Sequence, residues 1–346
     1  MRNHHQKNRK KTPADRLRLL LILFLALFFI YYCLIYSLVS AALVPSFMRT
    51  LPMFETITQK SLDQQVHSDT ITENLKRGRD RFAEWKKTCP QEDLSIMSHD
   101  GYRLAAKEFD CVSPAHRWAL LLHGYTGVKE EMYPYAYWYF HQGFNTVVPD
   151  LRAQGESQGD FIGMGYTDHY DLKGWIRLIL EKDPEASITI HGQSMGAAAA
   201  LILTGEPDLS GHVKVVISDC AYTDAYSMFG SKATEWFHLP PFPFVDSACL
   251  MLKMRGGYDL RKASPIEAVK KSRTPTLFIH GDRDVMIPWQ MSRDLYRAAA
   301  CDKKLIITPG AGHAQAQVVD PHAYYQAVYA FIESHGGLEP TGRDIP

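Results

Sequence analysis

The sequence lacks the features that usually indicate binding of nucleic acids or metal ions. Its 38 lysines and arginines balance 38 aspartates and glutamates, and the body of the protein has no basic patch for a polyanion. The six cysteines form no CxxC pair and no Cys/His cluster with the spacing of a zinc site. Internal repeats and low-complexity tracts are absent as well. We therefore expect neither a nucleic-acid partner nor a bound metal.

A long segment near the start of the chain lacks charge altogether. The run from Leu19 to Val44 contains no charged residue, and as a helix its 26 residues would extend about 39 Å, enough to cross a bilayer. A cleavable signal peptide is the alternative, because Ser40, Ala41 and Ala42 offer small residues for cleavage. The apolar core of such a peptide, however, is usually only about 7–15 residues long. We expect residues 19–44 to form an uncleaved transmembrane anchor.

Basic residues concentrate just before this run. The first 18 positions contain seven of them, namely Arg2, Lys7, Arg9, Lys10, Lys11, Arg16 and Arg18. Positively charged flanks of a membrane span stay in the cytoplasm. Residues 1–18 are therefore expected to be a cytoplasmic tail, and the protein is expected to cross the cell membrane once, with its main domain outside the cytoplasm.

Residues 45–88 form a polar connector whose second half has helical periodicity. Ile71, Leu75, Phe82 and Trp85 would share one face of that helix, with charged residues on the other. We expect this face to pack on the domain that follows, residues 89–336, rather than to bind a partner protein. A short tail at 337–346 would end the chain.

Short apolar runs alternate with helical patterns through the main domain. We predict strands at Asp93–Met97, Tyr102–Phe109, Trp118–Leu122, Asn145–Val148, Ile188–His191, Val213–Ser218, Thr276–Ile279 and Lys304–Thr308. Helices are predicted at Met132–Gln142, Tyr166–Glu181, Met195–Leu203, Gln290–Ala300 and Pro321–Glu333. This alternation predicts a mostly parallel, eight-stranded α/β sheet with an antiparallel start and helices on both faces.

One stretch, at about 224–260, interrupts the alternation. It is rich in aromatic residues and prolines, too long for a simple connection and too apolar for a solvated loop. We expect it to form a cap over the catalytic end of the sheet. A structural helix pair that never touches the substrate is the alternative.

The segment Gly192-Gln193-Ser194-Met195-Gly196 joins a predicted strand to a predicted helix. A serine on such a sharp turn projects its hydroxyl above the sheet, and small neighbours let the chain turn without clashes. The start of the following helix also favours negative charge nearby. Ser194 is therefore the candidate nucleophile, and the alternative is a tight turn whose serine only caps a helix.

A serine nucleophile requires a base to remove its proton. His313 follows the last predicted strand in a glycine-containing loop, at the same end of the sheet as Ser194. His123 and His280 also follow strands, but each precedes a glycine within a different motif. His313 is the candidate base.

The base in turn requires an acid that fixes its tautomer and stabilises its charged form. Asp219, Asp282 and Asp284 all follow strands and all lie between the serine and the histidine in the chain. The order along the chain suits each of them.

Four motifs in this order resemble the α/β-hydrolase superfamily over residues 93–334. Besides the Ser194 turn, His123–Gly127 resembles the family's HG-containing loop, Asp150–Ser157 its DxRxxGxS segment, and His280–Pro288 its HGxxDxxVP motif. The resemblance implies an α/β-hydrolase fold and Asp284 as the acid. Within the superfamily the chain is most similar to membrane-anchored bacterial hydrolases described as serine aminopeptidase-like or lysophospholipase-like.

The same resemblance implies further roles. The backbone N–H groups of Tyr125 and Met195 would form the oxyanion hole, and the Tyr125 side chain would either shape an acyl pocket or serve the fold. Asp150 and Arg152 would make structural polar contacts. No cofactor is required for this chemistry.

We expect the protein to hydrolyse carboxylic esters through an acyl-enzyme, with a small-molecule or lipid ester as substrate. A peptidase of the aminopeptidase-like kind and a lipid-directed esterase or lysophospholipase are the alternatives. A non-catalytic surface module that only binds through this fold would be expected to have a degenerate triad.

A disulfide between Cys89 and Cys111 is the last expectation. His99-Asp100-Gly101 fits a three-residue hairpin loop that sets Ser98 opposite Tyr102. In that register Cys89 faces Cys111, at a separation that a disulfide can span. An exported domain also meets an oxidising environment.

Overall fold

The computed structural model describes residues 12–48, 66–111 and 116–336. Most of the predicted basic tail, the connector between 49 and 65 and the predicted tail at 337–346 lie outside these residues. The first described helix begins with a capping box, in which Thr12 and Asp15 exchange side-chain and backbone hydrogen bonds.

The strands of the domain form one sheet. They are β1 (Gln91–Met97), β2 (Arg103–Phe109), β3 (Arg117–Leu122), β4 (Asn145–Pro149), β5 (Ser187–Gln193), β6 (Val213–Asp219), β7 (Thr276–Gly281) and β8 (Lys303–Thr308). Their order is β1-β2-β4-β3-β5-β6-β7-β8. β2 pairs antiparallel with both β1 and β4, and all other neighbours are parallel. The predicted eight-stranded, mostly parallel sheet with an antiparallel start is confirmed.

Helices cover both faces of this sheet. They are α1 (Pro13–Leu43), α2 (Pro45–Met48), α3 (Asp69–Thr88), α4 (Tyr133–His141), α5 (Asp168–Lys182), α6 (Met195–Thr204), α7 (Ala225–Phe237), α8 (Pro241–Gly256), α9 (Pro265–Val269), α10 (Gln290–Ala298), α11 (Ala316–Val319) and α12 (Pro321–His335), with 3₁₀ turns at Lys129–Met132 and Leu260–Lys262. Apolar side chains of α3, α4 and α12 fill the core on one face. Those of α1, α5, α6 and α8 to α10 fill the core on the other. The sheet is therefore buried on both sides, and β3 is buried at every residue.

The β1–β2 hairpin has the predicted register. Met97 pairs with Arg103 and Gln91 with Phe109, and Gly101 takes a positive φ of 90° in the turn.

The disulfide derived from that register is not formed, and Cys89 and Cys111 are separate thiols in the structure. Cys89 is held at the end of α3, where its N–H donates to the carbonyl of Trp85 and its thiol to the carbonyl of Pro90 at 3.4 Å. The N–H of Cys111 donates to Asn145 Oδ1 at 2.9 Å. Each of the two residues is thus held by contacts of its own, at the end of α3 and beside β4.

Helix α3 packs on the domain, as the connector pattern predicts. Trp85 is buried, and its ring lies 4.9 Å from that of Phe109, between centroids. Ile71 is buried as well, but Leu75 is 45% exposed. The predicted apolar face is therefore correct at its ends and wrong at Leu75.

The stretch at 224–260 folds into α7 and α8, which we call the cap helices. Lys232 of α7 donates through Nζ to the carbonyl of Val285 at 3.0 Å. The cap helices therefore reach the loop that follows β7. Cys249 and Leu252 of α8 are buried in the core beneath.

By length and composition, helix α1 could cross a membrane, and a transmembrane anchor and a signal sequence both fit this description. Residues 13–30 are exposed, whereas from residue 31 onward one face of the helix is covered and the other stays exposed. Ile35, Val39 and Leu43 are buried in the same core as the sheet. The carbonyl of Leu43 also accepts the N–H of Ile162 at 2.9 Å. The end of α1 is thus an integral part of the domain that contains the sheet.

Candidate active site

Ser194 lies in the turn between β5 and α6 with φ 54° and ψ −115°, a backbone conformation that costs energy for a residue with a side chain. Close packing of the chain holds the turn. A Cβ on Gly196 would come 2.4 Å from the carbonyl oxygen of Leu122, and one on Gly192 would come 2.4 Å from the backbone nitrogen of Ala197. The turn therefore needs both glycines, and it presents the Ser194 hydroxyl at the carboxyl end of β5.

A chain of hydrogen bonds joins three of the residues singled out from the sequence. Ser194 Oγ lies 3.0 Å from His313 Nε2, and His313 Nδ1 lies 2.7 Å from Asp284 Oδ2. Ser194 and Asp284 are each 7% exposed. The three side chains come from loops after β5, β7 and β8, which meet at one edge of the parallel sheet. This is the geometry in which a histidine can accept the serine proton while a carboxylate fixes its tautomer.

Asp284 is surrounded by donors. Its Oδ1 accepts the N–H groups of Met286 and Ile287 at 2.9 and 2.8 Å, and its Oδ2 also accepts a bond from His280 Nε2 at 3.0 Å. Burial alone would raise the pKa of this carboxyl, but the charge of His313 and the hydrogen bonds from both histidines outweigh it. The pKa of Asp284 is therefore well below its usual value, and the carboxylate is ionised at neutral pH.

The carboxyl groups of the other two candidate aspartates make other hydrogen bonds. Asp282 Oδ1 accepts the N–H of Gly310 at 2.7 Å and so fixes the turn before His313. Asp219 Oδ2 accepts the hydroxyl of Tyr324 at 2.7 Å, and burial raises the pKa of this carboxyl to about 6. Among the described residues, neither aspartate is hydrogen-bonded to His313.

His280 contributes to the site in a way that the sequence analysis missed. Because its Nε2–H donates to Asp284 and to the carbonyl of Ile287 at 2.9 Å, its Nδ1 must accept the hydroxyl of Ser292 at 2.7 Å. The imidazole is thereby held as a donor to Asp284. Its place in the same motif as Asp284, four residues apart, was the available signal.

The backbone N–H groups of Tyr125 and Met195 belong to residues beside Ser194: Met195 follows it directly, and Tyr125 follows Gly124, on which a Cβ would come 3.4 Å from Ser194 Cβ. In the part of the chain that the structure describes, neither donates to another protein group, so both are available to an oxyanion. Buried His123 supports the loop of Tyr125 through two hydrogen bonds. Its Nδ1–H donates to the carbonyl of Gly124 at 2.8 Å, and its Nε2 accepts the N–H of Leu151 at 2.9 Å.

The phenol of Tyr125 makes a contact that no motif indicates. It donates a hydrogen bond to the carbonyl of Ala42, at the end of α1. The loop that carries a candidate oxyanion donor is therefore tied to the apolar N-terminal helix.

Asp150 and Arg152 make the structural contacts expected of them. Asp150 accepts the backbone N–H and the Nζ of Lys129, both at 2.7 Å, and Arg152 forms two bonds with Asp171 at 2.7 Å. These buried pairs support the loops beside the site.

Cys220, Asp284 and His313 are side chains that could ligate a metal, with ligand atoms within 4.8 Å of one another. His313, however, uses both ring nitrogens in its bonds to Asp284 and Ser194. A metal there would have to replace these bonds.

Comparisons with known proteins place this geometry in a family. Residues 119–327 match the model of an alpha/beta hydrolase family. The chain is 30% identical to the uncharacterized protein YqkD of Bacillus subtilis over 276 residues, which cover 79% of this chain and 89% of that protein. It is 28% identical to the lysophosphatidylserine lipase ABHD12 of Danio rerio over 167 residues, which cover 47% of this chain and 41% of the lipase.

Solved structures share the fold. The esterase Pf2001 of Pyrococcus furiosus superimposes with a TM-score of 0.60 at 22% identity, covering 73% of this chain and 94% of the esterase. The acylaminoacyl peptidase of Pyrococcus horikoshii superimposes with a TM-score of 0.55 at 20% identity, covering 76% of this chain and 45% of the peptidase. The chain matches the family model and YqkD, and its sheet order and the serine turn after β5 agree with these matches. This chain therefore belongs to the alpha/beta hydrolase family.

Proposed function

We propose that this protein is a serine hydrolase that cleaves carboxylic esters through an acyl-enzyme intermediate. One observation carries the proposal, the continuous hydrogen-bonded chain from Ser194 Oγ through His313 to Asp284 Oδ2. The ionised state of Asp284 supports it, since a carboxylate at this position stabilises the positively charged imidazole that forms during the reaction.

The proposed reaction has two halves. Ser194 Oγ attacks the carbonyl carbon of the ester while His313 Nε2 takes the hydroxyl proton, and the carbonyl electron pair moves onto its oxygen. The N–H groups of Tyr125 and Met195 stabilise that oxyanion. When the tetrahedral intermediate collapses, the bond to the alcohol breaks and His313 returns the proton to the leaving alkoxide. Water then repeats the sequence on the acyl-enzyme and releases the acid and Ser194.

An ester is favoured over an amide because the cap helices, which contact the loop of Asp284, are rich in apolar residues that would suit an acyl or aryl group. The similarity to a lipase and to an esterase points the same way. Peptide hydrolysis is the second candidate, because the same groups could act on an amide and one structural neighbour is a peptidase. A lipid ester is consistent with a membrane location.

We propose that α1 anchors the enzyme in the cell membrane with the hydrolase domain outside the cytoplasm. The exposed apolar residues of α1 support the anchor, and the basic residues before it support the orientation. Protease added to intact cells should then degrade the domain, and a high-salt wash should leave it in the membrane fraction. Soluble enzyme with a mature N-terminus near Ala42 would contradict the anchor.

The test of the reaction uses the full chain purified in detergent micelles. A fluorophosphonate probe should label the wild type and a Ser95→Ala control, whose serine is exposed on the edge strand β1, but not Ser194→Ala. Hydrolysis of p-nitrophenyl esters should follow the labelling and fall by several orders of magnitude in Ser194→Ala. Faster turnover of aminoacyl p-nitroanilides than of every ester would favour the peptidase. A folded wild type that neither reacts with the probe nor hydrolyses any substrate would contradict the proposal.

A further inference from the structure

The hydrolase domain begins to cover α1 well before that helix ends. Tyr31 is half-buried, and its hydroxyl lies 2.8 Å from Ser247 Oγ, while its ring lies 5.9 Å from that of Phe244, between centroids. Both partners belong to the first half of α8. Among the described residues before Tyr31, all side chains from 12 to 30 are exposed.

Further along, the end of α8 lies beside the end of α1. Arg255 donates to Ser40 Oγ at 2.9 Å, and its guanidinium lies 3.9 Å from the centroid of the Tyr36 ring. Residue numbers along the two helices therefore rise together. α8 runs parallel to α1, and its first turn lies on the side of the exposed apolar segment.

The part of α1 that precedes its contacts with α8 is too short to cross a bilayer by itself. Twelve residues lie between Arg18 and Tyr31, and the helix rises about 20 Å from one to the other, whereas the hydrocarbon core is about 30 Å thick. Arg18 can extend its side chain to one surface and recover a few ångströms of this difference, but any tilt of the helix increases it. If α1 crosses the membrane, the first turn of α8 must enter the opposite leaflet.

The chain at the first turn of α8 has a composition suited to contact with lipid. The turn between the cap helices and its flanks, residues 236–245, contains no Asp, Glu, Lys or Arg. Trp236, Phe237 and Phe242 are exposed there, by 37%, 38% and 76%. Exposed aromatic rings are unfavourable in water, and they are enriched where proteins meet the membrane interface. We call these three residues the cap corner.

We propose that the cap corner inserts into the outer leaflet beside α1, so that the lipid bilayer is the binding partner of this surface. The proposal rests on the membrane anchor proposed above and is independent of the chemistry at Ser194. It has a consequence for the substrate. Because α7 contacts the loop of Asp284 through Lys232 and Val285, insertion brings the site close to the membrane surface. An ester dissolved in the bilayer is then the favoured substrate.

Photocrosslinking in the full chain tests the insertion. Phe242 is replaced by p-benzoylphenylalanine, the protein is reconstituted into vesicles of phosphatidylcholine and phosphatidylglycerol, and adducts are identified by mass spectrometry after irradiation. The same replacement at Phe24, which is 64% exposed on α1, reports on the anchor. The same replacement at Met97, which is 65% exposed on β1, is the matched control away from α1.

We expect lipid adducts at positions 242 and 24 and none at position 97. Lipid adducts at position 24 without adducts at position 242 would overturn insertion of the cap corner and leave the anchor standing. Crosslinks from position 242 to a second copy of the chain would overturn it as well, because the surface would then be a protein interface. Absence of lipid adducts at both 242 and 24 would overturn the anchor and this proposal together, while labelling of Ser194 by a fluorophosphonate would be unaffected.

A kinetic comparison tests the consequence for the substrate. Phe242→Ser should lower hydrolysis of a long-chain monoacylglycerol embedded in vesicles, by about tenfold or more, and leave hydrolysis of soluble p-nitrophenyl acetate unchanged. Met97→Ser should change neither rate. Equal rates of Phe242→Ser and wild type on the embedded ester would contradict delivery from the bilayer.

Discussion

Replacing Asp284 by asparagine is the sharpest test of the assignment of the acid. Asp284 Oδ1 accepts two backbone N–H groups, so the amide oxygen of an asparagine must take that position. The amide NH₂ then replaces Oδ2 and faces His313 Nδ1 and His280 Nε2. His313 can meet a donor only by leaving Nδ1 unprotonated, which puts its proton on Nε2, toward Ser194 Oγ. In that tautomer it cannot accept the serine proton.

The expected loss is therefore large. A triad whose acid becomes an asparagine typically loses about ten-thousand-fold in kcat, and we expect a loss of that order for Asp284→Asn with p-nitrophenyl esters. Asp282→Asn is the matched control two residues away. Its amide oxygen can still accept the N–H of Gly310, so kcat/KM should change by no more than a few-fold. The thermal unfolding midpoint of each variant in micelles shows whether it is folded.

Two results would refute this reasoning. Equal losses in Asp282→Asn and Asp284→Asn would mean that the hydrogen bond from His313 does not identify the acid. An Asp284→Asn enzyme that keeps most of its activity would mean that the tautomer of His313 is set by something other than Asp284.

Three further changes test other parts of the structure. Gly196→Ala should lower the thermal midpoint and the activity, because its Cβ would meet the backbone of Leu122. Gly211→Ala, with open space around its Cβ, is the control and should have little effect. Similar thermal midpoints for the two variants would contradict the packing argument. Tyr125→Phe should lower kcat by up to about tenfold, the net value of one hydrogen bond, and a full-length variant with wild-type kcat would show that its bond to α1 does not position the loop. In Asp219→Asn the group whose folded pKa is raised to about 6 is removed. As the pH rises from about 4 to 6, this acid ionises in the unfolded chain but stays protonated in the fold, so the wild type loses stability. The variant's thermal midpoint relative to wild type should therefore rise over this range, and a constant difference would contradict it.

The elements and the Ser194 turn could be predicted from the sequence because they depend on local patterns. Buried parallel strands are short apolar runs, and the glycines around Ser194 are dictated by backbone contacts within a few residues. The pairing of Gln91 with Phe109 follows from one turn with a glycine at positive φ.

The remaining features depend on contacts that no local pattern encodes. Nothing in the uniformly apolar run of α1 distinguishes the exposed Phe24 from the buried Val39, because only packing against the cap helices separates them. Extended beyond its last pair, the hairpin register would set Cys89 opposite Cys111, yet Cys89 caps the end of α3 and its thiol donates to the carbonyl of Pro90. The choice among three aspartates could be made only by resemblance, since the direction of a side chain within a loop is set by donors such as His280.

If the domain is exported, as we propose, the embedding of the end of α1 bears on the order of events during export. Ser40, Ala41 and Ala42 are the small residues at which a signal peptidase would cut. In the folded protein they are helical, with Ser40 buried against Arg255 and the carbonyl of Ala42 bonded to Tyr125. Proteases cut extended, accessible chain, so this segment is protected once α8 has packed against it. In an exported chain, a signal peptidase would therefore have to act before the cap helices fold onto α1.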